Sequence, residues 1–187
     1  MFQLPFPVQD ANAGSGGMDG TGPMGDLPVW NLDDLYTGED APELKRDLEW
    51  LENACASFAV DYEDKLEALD AGSLLDCVLR NEKINQIAGR IMSYAGLRYY
   101  QLTTDAGRAK FMSDAQEKIT NYTTPLVFFT LELNRLDDDH MDKLLATNAE
   151  LARYKPVFDR IRAMKKYQLS DELEKFMHDL GVVGDAW

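Results

Sequence analysis

From Leu44 onward, apolar residues fall at Leu44, Leu48, Leu51, Cys55, Phe58, Tyr62, Leu66 and Leu69, in steps of 4, 3, 4, 3, 4, 4 and 3. An α-helix turns once in about 3.6 residues, so this rhythm gathers them all on one helical face. Pro42 suits the first turn of that helix, where a missing N–H costs nothing. Asp70-Ala71-Gly72 ends it, and Ser73 is the residue expected to cap the next one.

Two more runs follow the same rule. Leu74, Val78, Ile84, Ile87, Ile91, Tyr94 and Leu97 mark a second helix, with Ala88, Gly89, Ser93, Ala95 and Gly96 crowding its middle. Glycine costs a helix about 1 kcal/mol against alanine, so Gly89 and Gly96 predict close approach by a neighbouring helix, with local flexibility as the alternative. Thr103-Thr104-Asp105 restarts the chain, and Met112, Ala115, Ile119, Tyr122, Leu126, Phe129 and Leu133 form a third face. Pro125 falls inside it and predicts a kink. The run Leu126-Val127-Phe128-Phe129 has strand propensity, which the helical register outweighs.

Each of the three helices is expected to hold about 25 to 30 residues and reach about 40 Å. Asp137-Asp138-Asp139-His140 opens a short helix, and Asn148 to Tyr167 a further one, amphipathic from Tyr154. Ser170-Asp171-Glu172-Leu173-Glu174 restarts the chain before it stops at Gly184-Asp185-Ala186-Trp187, like a piece of something larger. The fold class predicted is all-α, an elongated multi-helix bundle of long antiparallel helical hairpins.

Residues 1–26 are rich in Gly, Pro, Met and Asp without periodicity, and read as a disordered leader. Their Gly20, Gly22 and Gly25 match G-x-G-x-x-G formally, but Pro23 lies inside the match and Asp26-Leu27-Pro28 follows it. A dinucleotide loop must leave a strand and open a helix, so this one reads as linker. Residues 27–169 are assigned to one helical domain and 170–187 to the start of a following segment. At its front, Leu27 to Tyr36 reads as an apolar strap across a helical surface, with Trp30 as its anchor.

The net charge of −14 and pI near 4.5 argue against a nucleic-acid partner and against anionic membranes. No apolar run reaches the length of about 18 residues that a bilayer helix needs. Met1-Phe2-Gln3-Leu4-Pro5-Phe6-Pro7 lacks the basic and long apolar parts of a secretory signal. Cys55 and Cys77 fall on helical faces and read as buried thiols, the sequon Asn121-Tyr122-Thr123 as accidental, and the location as cytoplasmic.

Four constellations carry polar chemistry. His140 follows three aspartates, but consecutive helical residues diverge, and carboxylates in a first turn complement the helix dipole; helix capping is the reading. Glu174 and His178 are four apart and share a face, one edge of a metal site, yet zinc needs three protein ligands and no third is marked; the reading is a solvated helix side. Tyr94, Tyr99 and Tyr100 with Arg90 and Arg98 read as core and rim packing, with a peptide-lining wall as the alternative. Arg153, Arg160, Arg162, Lys165 and Lys166 form a basic patch that is expected to pair within this acidic chain. Walker, G-x-S-x-G, C-x-x-C and H-E-x-x-H motifs do not occur, so no catalytic, cofactor-binding or metal residue is assigned.

Three stretches together resemble one family. They are Leu27-Pro28-Val29-Trp30-Asn31-Leu32-Asp33-Asp34-Leu35-Tyr36, then Ile91-Met92-Ser93-Tyr94-Ala95-Gly96-Leu97-Arg98-Tyr99-Tyr100, then Leu151-Ala152-Arg153-Tyr154-Lys155-Pro156 continuing through Tyr167 to Glu174 and Val182-Val183-Gly184. Their order and spacing are similar to the N-terminal helical region of oligoendopeptidase F, zinc metallopeptidases related to the thimet oligopeptidases. The resemblance spans residues 27–187. It implies a two-lobed helical shell around a deep channel that admits short peptides. Zinc there is held by an H-E-x-x-H helix and a downstream glutamate, all in later sequence without counterpart here.

The expectation is therefore the N-terminal lobe, a wall of the substrate channel, inactive alone and with no cofactor of its own. Its partner is the missing C-terminal catalytic portion, and a shortened chain, a split gene or a disrupted frame would each fit. The alternative is a non-catalytic helical interaction module. If a catalytic half is missing, an open apolar patch is expected on the side of Leu151 to Trp187.

Overall fold

A computed structural model describes residues 30–184, with side chains to residue 181; the leader assigned to residues 1–26 and its glycine motif lie outside the described residues. From Asn31 on, the described chain is all-α, with helices and short 3-10 turns and no strand among the described residues. In order they are α1 (Pro42–Tyr62), α2 (Ala71–Gln101), α3 (Ala106–Thr123), α4 (Val127–Arg135), α5 (Asp138–Thr147), α6 (Ala149–Ala152), α7 (Lys155–Arg162) and α8 (Asp171–Gly184).

Helices α1, α2 and α3 form two antiparallel hairpins that share α2. Cross-pairs establish the direction: Arg80 meets Asp61, Arg90 meets Asp47, and Arg98 meets Glu39, one number rising as the other falls. Between α2 and α3, Tyr94 packs edge-on to Phe111 and the Arg108 guanidinium donates to the Arg98 carbonyl. The predicted apolar faces are the ones that meet. Leu44, Leu51, Cys55 and Phe58 of α1 bury against Leu74, Cys77, Ile84, Ile91 and Tyr94 of α2 in one continuous core. Phe58 lies at its centre, with ring centroids 4.9 Å from Tyr62, 5.8 Å from Phe128 and 5.7 Å from Phe129.

α1 and α3 are shorter than the periodicity implies, each for a local reason, whereas α2 runs through 31 residues. α1 ends at Tyr62 although its apolar face runs on to Leu69. Asp64 takes φ of 62°, a left-handed conformation that closes the helix. Leu66 still enters the core from a 3-10 turn, Leu66–Ala68. The third face also survives a break, because Pro125 turns the chain through a 3-10 segment, Thr124–Leu126, between α3 and α4. Thr123 and Thr124 donate their hydroxyls back to the Ile119 and Thr120 carbonyls at that break.

The helix expected from Asn148 to Tyr167 is three pieces: α6, α7 and the 3-10 turn Lys165–Tyr167. Pro156 lies in the first turn of α7, where it starts a helix and cannot continue one.

The caps also refine the sequence reading. Asp70, not Ser73, caps α2, accepting the Ser73 N–H at 2.7 Å. Asp105 caps α3 through the Gly107 and Arg108 N–H groups, and Asp137 caps α5 through those of Asp139 and His140. The aspartate run is thus a helix start, as its spacing implied. Gly89 and Gly96 of α2 answer no close approach: an added Cβ at Gly89 meets nothing within 4 Å, and at Gly96 only the Tyr100 ring of the same helix at 3.8 Å.

Candidate functional site

At the far end of the expected strap Tyr36 is 1% exposed, and Trp30 at the start of the described residues is 58% exposed. Tyr36 packs edge-on against Tyr94 with centroids 5.4 Å apart, and its hydroxyl donates to Asp47 at 2.6 Å. Arg90 lies 4.4 Å over the Tyr36 ring, reaches Asp47 at 3.3 Å, and donates to the Leu35 carbonyl. Burial, then the Asp47 carboxylate, push the Tyr36 phenol far above its ordinary range. Arg98 is held by Glu39 at 3.2 Å and by Gln101. The arginine–tyrosine group on α2 is therefore the clasp that fastens the strap, and only Tyr100 of its tyrosines is strongly exposed.

The basic patch divides. Arg162 donates to the Leu133 and Leu136 carbonyls, both at 2.6 Å, and pairs with Asp138. It thereby satisfies carbonyls that the C-terminus of α4 leaves open. The hydrogen bond and charge of Arg162 hold the Asp138 carboxyl below its usual range. Lys165 reaches the Leu136 carbonyl at 3.5 Å, and Lys166 lies 4.8 Å over the Tyr167 ring.

A groove of about 680 Å³ opens between α2, the α3–α4 break, α7 and α8. Asn81 and Asn85 line one side, where the Asn85 amide donates to the Asn81 side-chain oxygen at 2.7 Å. Leu126, Val127 and Phe129 line it from the α3–α4 break, with Val157 and Ile161 of α7 and Met177 of α8 along its margins. His178 was read as a solvated helix side, but it turns into this groove with Nε2 3.4 Å from the Thr123 hydroxyl. Polar docking of α8 produces that orientation, since its neighbour Asp179 accepts from the Thr124 hydroxyl at 2.7 Å.

The zinc of the resembled family does not fit these residues. Among the described residues no three His, Cys, Asp or Glu side chains converge. The Glu174 carboxylate, the nearest candidate companion to His178, accepts the Leu169 N–H at 2.9 Å instead. A cavity of about 190 Å³ beside Glu132 has Asp64, Glu67 and Arg135 around it. There Glu132 accepts the N–H groups of Asp64 and Leu66, a structural use.

Most of the large apolar side chains that remain exposed cluster late in the chain: Val157, Met164, Tyr167, Leu169, Leu173, Phe176, Met177 and Leu180. They fall within Leu151 to Trp187, the stretch on whose side an open patch is expected. The periodicity could not mark it, because an apolar stripe looks the same whether it faces a core or solvent.

Residues 132–187 match the family model described as oligopeptidase F, over α4 to the end of the chain. Over that stretch the chain is similar to the N-terminal region of this peptidase family. No curated protein and no solved structure matches the chain.

Proposed function

We propose that this chain is the N-terminal helical lobe of an oligopeptidase F-like zinc peptidase, a wall of the channel through which short peptides reach the metal. The observation that carries the reading is a coincidence of two stretches. The segment that matches the family, residues 132–187, also holds the cluster of exposed apolar side chains from Val157 to Leu180. A lobe that packs against a second half leaves such a face uncovered.

In this reading the zinc, its water-activating glutamate and the hydrolytic step belong to a separate catalytic portion, and this chain contributes shape. Helices α1 to α3 form a rigid wall, since their hairpins share a continuous core and the strap is clasped across them. In this reading the helical domain spans residues 27–169 and 170–187 opens the following segment; within it, His178 and Asp179 of α8 bond to Thr123 and Thr124. A cytoplasmic location accords with two free, buried thiols at Cys55 and Cys77.

The second reading, a helical interaction module, draws on the same outward apolar face. The coding sequence after codon 187 separates the two. A continuing frame with H-E-x-x-H supports the peptidase lobe. A stop codon, with the chain made stably as it stands, supports the module.

A further inference from the structure

Helix α8 is docked inside out. Ion pairs and hydrogen bonds tie one face of it to the rest of the chain: Asp171 pairs with Arg135, Lys175 with Glu63 at 3.5 Å, His178 with Thr123, and Asp179 with Thr124. These positions are spaced four, seven and eight along the helix and share one face. The opposite face carries Leu173, Phe176 and Leu180, also at helical spacing, with Met177 at its groove-side margin, and these are 38% to 57% exposed. A surface helix normally turns its apolar stripe to the core, so a stripe held outward by ion pairs and hydrogen bonds is presented to a partner.

The charges beside the stripe say what kind of partner. Glu172 flanks it on one side and Glu174 on the other, with no cation on either edge. Lys175, the helix's own cation, is turned inward to Glu63. Two copies of α8 laid stripe to stripe would set carboxylates against carboxylates, and an anionic lipid surface would be repelled as well.

We propose that the outer face of α8 docks an amphipathic helix whose apolar stripe is edged by lysine or arginine. Recognition is helix on helix, with the apolar side chains at 173, 176, 177 and 180 as anchors and the acidic edges selecting a cationic partner. The docking does not rest on the peptidase reading, because the inverted face and its acidic edges stand whatever chemistry the partner performs.

The test uses the whole 187-residue chain and three fluorescein-labelled peptides of about 18 residues, long enough for five turns. One has a leucine stripe with lysine edges, one the same stripe with glutamate edges, and one the lysine composition with the stripe scrambled. Anisotropy titrations are expected to show the first binding at least about ten-fold tighter than either other. The double variant Phe176→Ser with Leu180→Ser, which keeps every charge, should lose about ten-fold for that peptide while its thermal midpoint is unchanged. Equal binding of the scrambled peptide, no binding at all, or no response to the double variant overturns the proposal. So does sedimentation that shows the chain pairing with itself through this face. A peptidase lobe could give any of those negative results and still be a peptidase lobe, so the two readings fail separately.

Discussion

The Glu132 carboxylate accepts the backbone N–H of Asp64 at 2.7 Å and that of Leu66 at 3.2 Å, across a separation of 68 positions for the first bond. One buried side chain on α4 thus fixes the left-handed turn that ends α1. Glu132→Ala leaves two backbone donors without an acceptor, and a buried unsatisfied polar group costs about 1–3 kcal/mol. A loss of about 2–4 kcal/mol in urea unfolding is expected. Glu132→Gln keeps one acceptor and should lose less.

The same carboxylate makes a signed pH prediction. Burial, opposed in part by the two N–H bonds, raises the Glu132 pKa above its ordinary value of 4.5. The folded state therefore holds this proton more tightly than the unfolded state does. Its contribution to stability is full below the unfolded pKa and is lost as pH rises through the folded value. Asp70, Asp105 and Asp138, lowered by hydrogen bonds, contribute in the opposite sense. The difference in unfolding free energy between wild type and Glu132→Gln isolates the one group. It should shift in favour of the variant as pH rises above the ordinary carboxylate range.

Arg90→Lys keeps the charge and loses the fork that spans Asp47, the Leu35 carbonyl and the Tyr36 ring. Hydrogen exchange should accelerate at the Leu35 and Tyr36 amides, both bonded to the Leu32 carbonyl, while α2 and α3 stay protected. Uniform acceleration across the chain would mean the strap is part of the core.

Gly89→Ala should stabilise by up to about 1 kcal/mol, because a Cβ there meets nothing within 4 Å. The sequence alone suggested the opposite, a glycine kept small by a neighbour. A lowered thermal midpoint would restore that view.

Burial raises the Cys55 thiol to about 11 and the Cys77 thiol to about 12. Neither should react with a disulfide reagent at neutral pH in the folded protein, and both should react once urea unfolds it.

The fold was legible where one interaction dominates. Apolar spacing marked the buried faces correctly from Leu44 to Leu133, because burial follows side-chain position whatever the backbone does locally. Helix ends were less legible. Leu66 and Leu126 keep their places in the core while the backbone beneath them leaves the α-helix, for reasons held by Asp64, Glu132 and Pro125. The clasp on Tyr36 and the inverted α8 depend on pairings far apart in sequence, such as Arg90 with Leu35 and Lys175 with Glu63, and no local pattern encodes them.

The reading of this chain as a wall rather than a catalyst is tested most directly by metal analysis and peptide hydrolysis on the same purified sample. The account predicts zinc far below one per chain and no cleavage of a quenched short peptide, with or without added zinc. One tightly held zinc per chain together with peptide cleavage that a chelator abolishes would contradict it.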